Sequence, residues 1–226
     1  MSQTEKQECG YNLVEIINGE NLPYIIMLHG YGANMNDLAP IATVSPEFKK
    51  FNWVFPDGKL EVPIGPHTMG KAWFPIDMTR FETGEIGDLY SFITPAGMDD
   101  ACQNLTELVQ SVSKRANGVI IGGFSQGSMV ALELCLRKVV DFKMLVLLSS
   151  TLVNEEKIKS RMSALTYPMF QSHGTSDMVL PFGFAKKLQE TLDTKNTDHH
   201  FFEFSGGHEI PPYVLSELIN MLKALN

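Results

Sequence analysis

The sequence predicts an α/β fold with a mostly parallel central sheet and helices on both of its faces. Residues 23–28 and 143–148 are continuous apolar runs, which are typical of parallel strands covered on both sides. Residues 98–112 instead place apolar side chains at three- and four-residue spacing, which predicts an amphipathic helix. The alternation of such strands and helices along the chain favours parallel strands joined by crossover helices.

The remaining elements are expected in order along the chain. Further strands are predicted at residues 11–17 (an edge strand), 51–55, from Val119, 168–172 and 200–204. Further helices are predicted at residues 34–44, 154–163, 182–192 and after Pro212. Residues 56–94 are predicted to be a long irregular stretch, because prolines and glycines recur throughout them.

A chain of 226 residues has the length of one α/β domain. No segment is rich enough in Pro, Gly or Ser to divide it. We therefore predict a single domain over residues 1–226, with residues 1–10 as a flexible N-terminal segment.

The charge and composition argue against several classes of protein. The net charge is −8 and the isoelectric point is about 5.2, so we expect no nucleic-acid partner. The N-terminus is polar, and no apolar run is long enough to span a bilayer, so we expect no stable membrane insertion. The three cysteines show no paired spacing, and Cys102 and Cys135 are expected as buried free thiols, which favours a reducing, cytoplasmic setting.

The functional prediction begins with the segment Gly123-Phe124-Ser125-Gln126-Gly127. It matches the pattern Gly-x-Ser-x-Gly between a β-branched strand and an apolar helix. In this pattern a strained turn presents the serine hydroxyl above the sheet, and the glycines remove Cβ atoms that would collide with neighbouring elements. The pattern also occurs in ordinary turns, but the strand before it and the helix after it favour a nucleophilic Ser125.

A nucleophilic serine needs a general base, and the base needs an acid that orients it. In hydrolases of this kind, the acid and then the histidine follow the serine along the chain. His208 follows a Gly-Gly pair after the last predicted strand, and we predict it as the base. Asp177 lies just beyond the C-terminal end of a predicted strand, and we predict it as the acid, with a helix cap or Asx turn as its alternative role.

The other candidates have the wrong order or the wrong position. The remaining histidines are His29, His67, His173, His199 and His200. His29 and His67 precede the serine. His173 precedes the downstream acids. His199 and His200 lie at or just before a strand. The competing acids are expected at the opposite edge of the sheet and are Asp141, Asp193 and Asp198.

Two backbone N–H groups are expected to stabilise an oxyanion. One belongs to Gln126, directly after the nucleophile, and the other to Tyr31, in the loop after the strand at residues 23–28. Each such donor is typically worth about 3 kcal/mol. The aromatic side chains of residues 56–94 either cover the sheet or line an acyl pocket, and they are Trp73, Phe74, Phe81, Tyr90 and Phe92.

Taken together, these motifs resemble the phospholipase/carboxylesterase family of α/β-hydrolases, which includes acyl-protein thioesterases. The matching segments follow the family's order and are Leu28–Gly32, Ala72–Phe74, Gly122–Gly127, His173–Gly174 with Asp177 and Pro181, and Gly207–His208. The resemblance also implies that Tyr31 and Gln126 are the oxyanion donors and that Trp73 and Val179 lie at the wall of the acyl channel.

The resemblance implies an α/β-hydrolase fold and a serine carboxylesterase that cleaves short-to-medium acyl esters through an acyl-enzyme. No cofactor or metal is expected, the substrate is a small acyl ester or thioester, and a homodimer is left open. The segment between residues 148 and 168 is too short for a cap domain. Acyl-protein thioesterase or lysophospholipase activity is the main alternative. A peptidase, a lactone hydrolase and a non-catalytic binding protein are more remote ones.

Overall fold

The computed structural model describes residues 2–77, 79, 85–193 and 197–225. Its central sheet contains the strands β1 (Ser2–Glu8), β2 (Tyr11–Ile17), β3 (Tyr24–Leu28), β4 (Asn52–Pro56), β7 (Val119–Phe124), β8 (Phe142–Leu148), β9 (Met169–Gly174) and β10 (His199–Phe204). A separate hairpin is formed by β5 (Leu60–Gly65) and β6 (Thr68–Ala72).

The helices described are α1 (Glu85–Phe92), α2 (Met98–Arg115), α3 (Gln126–Leu136), α4 (Glu155–Arg161), α5 (Phe182–Leu192) and α6 (Pro212–Ala224). Short 3-10 helices occur at Ala39–Thr43, Pro46–Lys50 and Met162–Ala164. The strand order in the eight-stranded sheet is β1-β2-β4-β3-β7-β8-β9-β10. All neighbouring strands from β4 to β10 in this order pair in parallel. At the other side of the sheet, β2 pairs antiparallel with β4, and β1 pairs antiparallel with β2. The predicted mostly parallel sheet is confirmed.

The sheet separates two hydrophobic cores. Successive side chains of β3 point to opposite faces, so Ile26 and Leu28 join one core while Ile25 and Met27 join the other. The first core contains the apolar sides of α2 and α3, and the second contains that of α6. A strand buried on both faces must be apolar at every position, which explains the continuous apolar runs in the sequence.

The prediction of a flexible segment at residues 1–10 was wrong. Residues 2–8 form β1, which pairs antiparallel with β2 over its whole length and makes β2 the second strand rather than the edge. The strand is polar because most of its side chains are exposed. Glu8 attaches it to α2 through Arg115, with Nη1–Oε1 and Nη2–Oε2 distances of 2.6 and 2.9 Å.

The irregular stretch predicted at residues 56–94 also needs correction, because it contains the hairpin β5–β6 and helix α1. Its prolines do not prevent pairing in this two-stranded sheet, where each strand has a free side. Phe81 and Gly84 lie outside the described residues. The helix predicted at residues 34–44 is shorter and begins later, as the 3-10 helix Ala39–Thr43.

Cys102 and Cys135 are buried free thiols, as predicted, and burial raises the pKa of each to about 12. Within the described part of the chain, no helix is both long and apolar enough to cross a membrane.

Candidate active site

Ser125 lies in the sharp turn between β7 and α3. Its φ and ψ angles are 54° and −120°, a region that residues with a side chain rarely adopt. Its N–H donates to Leu148 O at 2.9 Å, which holds the turn against the end of β8. This turn places the serine at the carboxyl ends of the parallel strands.

The two glycines of the motif allow this turn by letting backbones approach closely. A Cβ on Gly127 would lie 2.1 Å from Leu28 O, and a Cβ on Gly123 would lie 2.3 Å from the carbonyl carbon of Gly127. Contacts this short are not tolerated, so both positions require glycine. The first turn of α3 can therefore pack against the end of β3.

Asp177 and His208 lie close together at the same edge of the sheet. Asp177 follows β9, and His208 lies in the loop between β10 and α6. Nδ1 of His208 is 2.7 Å from Asp177 Oδ2. The Asp177 side chain is fully buried, while that of His208 is 15% exposed, so the imidazole bridges a buried carboxylate and the surface.

The Asp177 carboxylate is held by several donors. Oδ1 accepts the N–H groups of Val179 and Leu180, both at 2.8 Å. Burial alone would raise the pKa of this carboxyl group, but hydrogen bonds from His173, His208 and the Leu180 N–H outweigh it. The pKa is therefore held well below its usual value, and Asp177 is an anion at neutral pH.

The imidazole of His208 lies beside the turn that carries the serine. Its ring packs on the ring of Phe124, the residue before Ser125, with 4.7 Å between the centroids. Ser125 and His208 line the same cavity. Among the described residues, the Ser125 hydroxyl makes no hydrogen bond to the ring. In enzymes without bound substrate, catalytic hydrogen bonds are often long or poorly aligned and tighten only when substrate binds.

The loop after β3 lies next to the serine and lines the same cavity. A Cβ on Gly30 would be 3.4 Å from Ser125 Cβ, so the backbone of this loop runs directly beside the nucleophile. Tyr31 follows, and in the described structure neither its N–H nor that of Gln126 donates to a protein acceptor. Both donors are free for a ligand oxygen.

The hairpin β5–β6 supports this loop from behind. Gly32 N–H donates to Lys71 O, and Lys71 N–H donates to Ala33 O, both at 2.8 Å. A Cβ on Gly70 would lie only 1.9 Å from Gly32 O. The position of the Tyr31 N–H therefore depends on a hairpin that sequence analysis did not predict.

Trp73 does not lie where the resemblance placed it. Its indole N–H donates to His29 O at 2.8 Å, and its ring packs on His29 at 5.0 Å between centroids. It lines a different cavity, on the side toward Tyr11 and Gly97. The matching motif specified the backbone position of Trp73 but not the direction of its side chain.

The cavity beside Ser125 has a volume of about 280 Å³ and is mainly apolar. Val179 does line it, as expected from the resemblance. Other apolar lining residues include Ala33, Ile76, Tyr90, Phe124, Met129 and Leu180. Asp37 lies at its polar side. Of the aromatic residues whose role was left open, Tyr90 lines this cavity, while Phe74 is buried in the core.

The side chain of Gln126 has a structural role that sequence analysis missed. The residue is 1% exposed. Its side-chain oxygen accepts the backbone N–H of Trp73 at 2.9 Å, and its side-chain nitrogen donates to Phe74 O at 2.7 Å. It thus fixes the segment after β6 to the start of α3. The burial of this amide depends on the tertiary fold, so the sequence did not reveal the contact.

His29 is buried beside the nucleophile but is committed to other bonds. Its Nδ1 is 2.7 Å from Gly30 O, and its Nε2 accepts the N–H of Gly58 at 2.8 Å. These partners require a neutral ring with the proton on Nδ1. Burial lowers the pKa of His29, which agrees with this neutral form, and the ring has no nitrogen left to act as a base.

No metal site accompanies these groups within the residues that the structure describes, since none of their His, Cys, Asp and Glu side chains form a group of three or more suited to an ion.

The sheet order, the strained serine turn and the carboxylate–imidazole pair define an enzyme of the α/β-hydrolase type. A model of the phospholipase/carboxylesterase family matches residues 11–226. The chain therefore belongs to this family and is a serine hydrolase. The predicted family, fold and enzyme class are confirmed.

Individual relatives agree with this assignment. Acyl-protein thioesterase 1 of Debaryomyces hansenii is 30% identical over 204 residues, which are 79% of this chain and 81% of the relative. The corresponding protein of Candida albicans is 27% identical over 218 residues, covering 88% of this chain and 90% of the relative. Each alignment covers more than three quarters of this chain.

Solved structures share the fold. Esterase PE8 superposes with a TM-score of 0.80 at 24% identity and covers 100% of both chains. A carboxylesterase from Mesorhizobium loti superposes with a TM-score of 0.76 at 15% identity and covers 98% of each chain.

Proposed function

We propose that this protein is a serine carboxylesterase that hydrolyses short-to-medium acyl esters with Ser125 as nucleophile, His208 as general base and Asp177 as the orienting acid. The observation that carries the proposal is the 2.7 Å bond between His208 and a buried, ionised Asp177, at the rim of a cavity that also contains Ser125. Since Nδ1 of His208 is bonded to Asp177, Nε2 is the nitrogen that takes the serine proton.

The reaction proceeds in two stages. As Ser125 Oγ attacks the ester carbonyl, its proton moves to His208 Nε2, and the imidazolium then protonates the leaving alkoxide. The acyl group remains on Ser125 until water, deprotonated by the same ring, attacks and releases the acid. The free N–H groups of Tyr31 and Gln126 stabilise the negative oxygen of each tetrahedral intermediate.

The apolar cavity supports the choice of acyl chain. Its volume of about 280 Å³ lies near the lower end of the range for small-molecule sites, which is about 300–1,000 Å³. An apolar site of this size favours short and medium chains over a bulky or charged acyl group.

Thioester hydrolysis by the same residues is the second candidate function. It is favoured by relatives named acyl-protein thioesterase 1, including the one that is 30% identical. The chemistry differs only in the leaving group. A thiolate leaves more readily than an alkoxide and depends less on a proton from His208. Lysophospholipid cleavage would use the same groups.

The remaining proposals concern setting and partners. The buried thiols of Cys102 and Cys135 are free, which supports a reducing cytoplasmic location. The net charge of −8 supports the absence of a nucleic-acid partner. The homodimer stays a prediction.

The test is hydrolysis of a panel of p-nitrophenyl esters and matched thioesters of increasing acyl length. Ser125→Ala should lower kcat/KM by at least about 10³-fold on every substrate that the enzyme cleaves. The matched control is Ser216→Ala, which changes an exposed serine on α6 and should leave activity unchanged. Full activity of Ser125→Ala would rule out the proposed mechanism.

A further inference from the structure

A second histidine contacts the carboxylate proposed to orient His208. His173 is the penultimate residue of the strand β9, and its side chain is fully buried. Its Nε2 is 2.8 Å from Leu180 O and 3.3 Å from Asp177 Oδ2. Because both neighbours are acceptors, Nε2 must carry a proton and act as the donor.

This donor acts on the oxygen that His208 uses. Oδ1 of Asp177 is fixed by the N–H groups of its own turn, whereas Oδ2 lies 2.7 Å from Nδ1 of His208 and 3.3 Å from Nε2 of His173. His208 lies in a loop without regular secondary structure, so the direction of its ring depends on where Oδ2 points.

We propose that His173 is a positioning residue for ester hydrolysis, which holds Asp177 Oδ2 in place so that the carboxylate aligns His208. The inference rests on the proposed roles of Asp177 and His208. His173 does not touch the substrate cavity and acts only through Asp177.

Packing alone does not account for a histidine at this position. Among the described residues, Nδ1 of His173 is buried without any hydrogen-bond partner, and an unpaired buried nitrogen destabilises a fold. An apolar side chain would pack beside Phe182 without that cost. The Nε2–H donor is the property that an apolar side chain cannot supply.

Two amide variants test the proposal because they differ only in the length of the side chain, and so in where the amide nitrogen lies. The amide nitrogen of His173→Gln lies near the place of Nε2 and can still donate to Asp177, whereas that of His173→Asn lies near Nδ1 and cannot. His173→Gln should keep most of kcat, and His173→Asn should lose about tenfold to a hundredfold in kcat with little change in KM.

Equal activity of both variants and the wild type would overturn the proposal, and so would an equal loss in both, since that indicates a packing role. A measurement on the wild-type protein covers the case in which neither variant folds. Histidine ¹⁵N NMR should show residue 173 with its proton on Nε2, and a proton on Nδ1 would overturn the proposal. This result does not depend on activity, so a failure of the Ser125→Ala test is distinguishable from a failure here.

Discussion

At the scale of single residues, the position of Ser125 depends on what its neighbours lack. Gly127 lets the first turn of α3 contact the backbone of Leu28, and Gly123 lets the end of β7 approach Gly127. The turn that carries the nucleophile can pack this tightly because no Cβ atom separates these backbone segments.

Gly127→Ala is expected to destabilise the protein by about 3 kcal/mol and to abolish most ester hydrolysis, because the new Cβ would lie 2.1 Å from Leu28 O and must push α3 away from β3. Chemical denaturation and ester kinetics measure the two effects. The matched control is Gly183→Ala in α5, where a Cβ meets nothing within 4 Å and both quantities should stay close to wild type. Wild-type activity in Gly127→Ala would contradict this account of the turn.

The residues of the candidate site could be predicted from the sequence to different degrees. Ser125, Asp177 and His208 each follow a strand in a fixed order, so the serine motif, chain order and strand position singled them out. Trp73 was misplaced because the direction of a side chain depends on its partners, here the carbonyl of His29. The contact of His173 with Asp177 was missed because an argument from chain order can reject a base but cannot reveal a neighbour.

At the scale of elements, the edge strand β1, which pairs with β2, is attached to α2 by charged and polar side chains rather than by an apolar face. The Glu8 carboxylate accepts hydrogen bonds from Arg115 and Ser111 of α2 and forms an ion pair with Lys6 at 3.0 Å. Burial would raise the pKa of Glu8, but these contacts, led by Arg115, lower it from 4.5 to about 2.

This pKa shift makes part of the stability dependent on pH. Because the pKa is lower in the folded state, the contribution of Glu8 is complete above about pH 4.5 and is lost as the pH falls toward 2. Glu8 is partly solvent-exposed, so the expected contribution is about 1 kcal/mol. Glu8→Gln should lower the free energy of unfolding by that amount at pH 7, and the difference from wild type should disappear at low pH.

Glu5→Gln provides the matched control, because it removes the same charge from the same strand at an exposed position. Equilibrium unfolding from pH 7 down to the acid limit of reversible folding makes the comparison. Equal effects of the two substitutions at pH 7 would show that net charge, and not the contact with α2, is responsible.

Elements were predictable where burial imposes a pattern on the sequence. The buried strands β3 and β8 and the helices α2 and α5 have continuous or periodic apolar residues, and each was predicted close to its place. The strand β1 and the hairpin β5–β6 expose most of their side chains, so their sequences carry no such pattern. Their structure depends on tertiary contacts with β2, α2 and the loop after β3.

At the scale of the whole molecule, the sheet brings distant parts of the chain together. The segments with Tyr31, Ser125, Asp177 and His208 follow β3, β7, β9 and β10, which run parallel to one another. The carboxyl ends of parallel strands lie at one edge, so residues far apart in sequence meet there. This is why the location of the site could be predicted without knowledge of the side-chain contacts.

The most direct test of the central claim is mass spectrometry of the protein after reaction with a fluorophosphonate. An activated serine should acquire one phosphonate group per chain, located by peptide mapping on Ser125, and labelling should stop in Ser125→Ala and slow sharply in His208→Ala. Labelling that persists at the same rate in Ser125→Ala, or that maps to another residue, would contradict the assignment of Ser125 as the nucleophile.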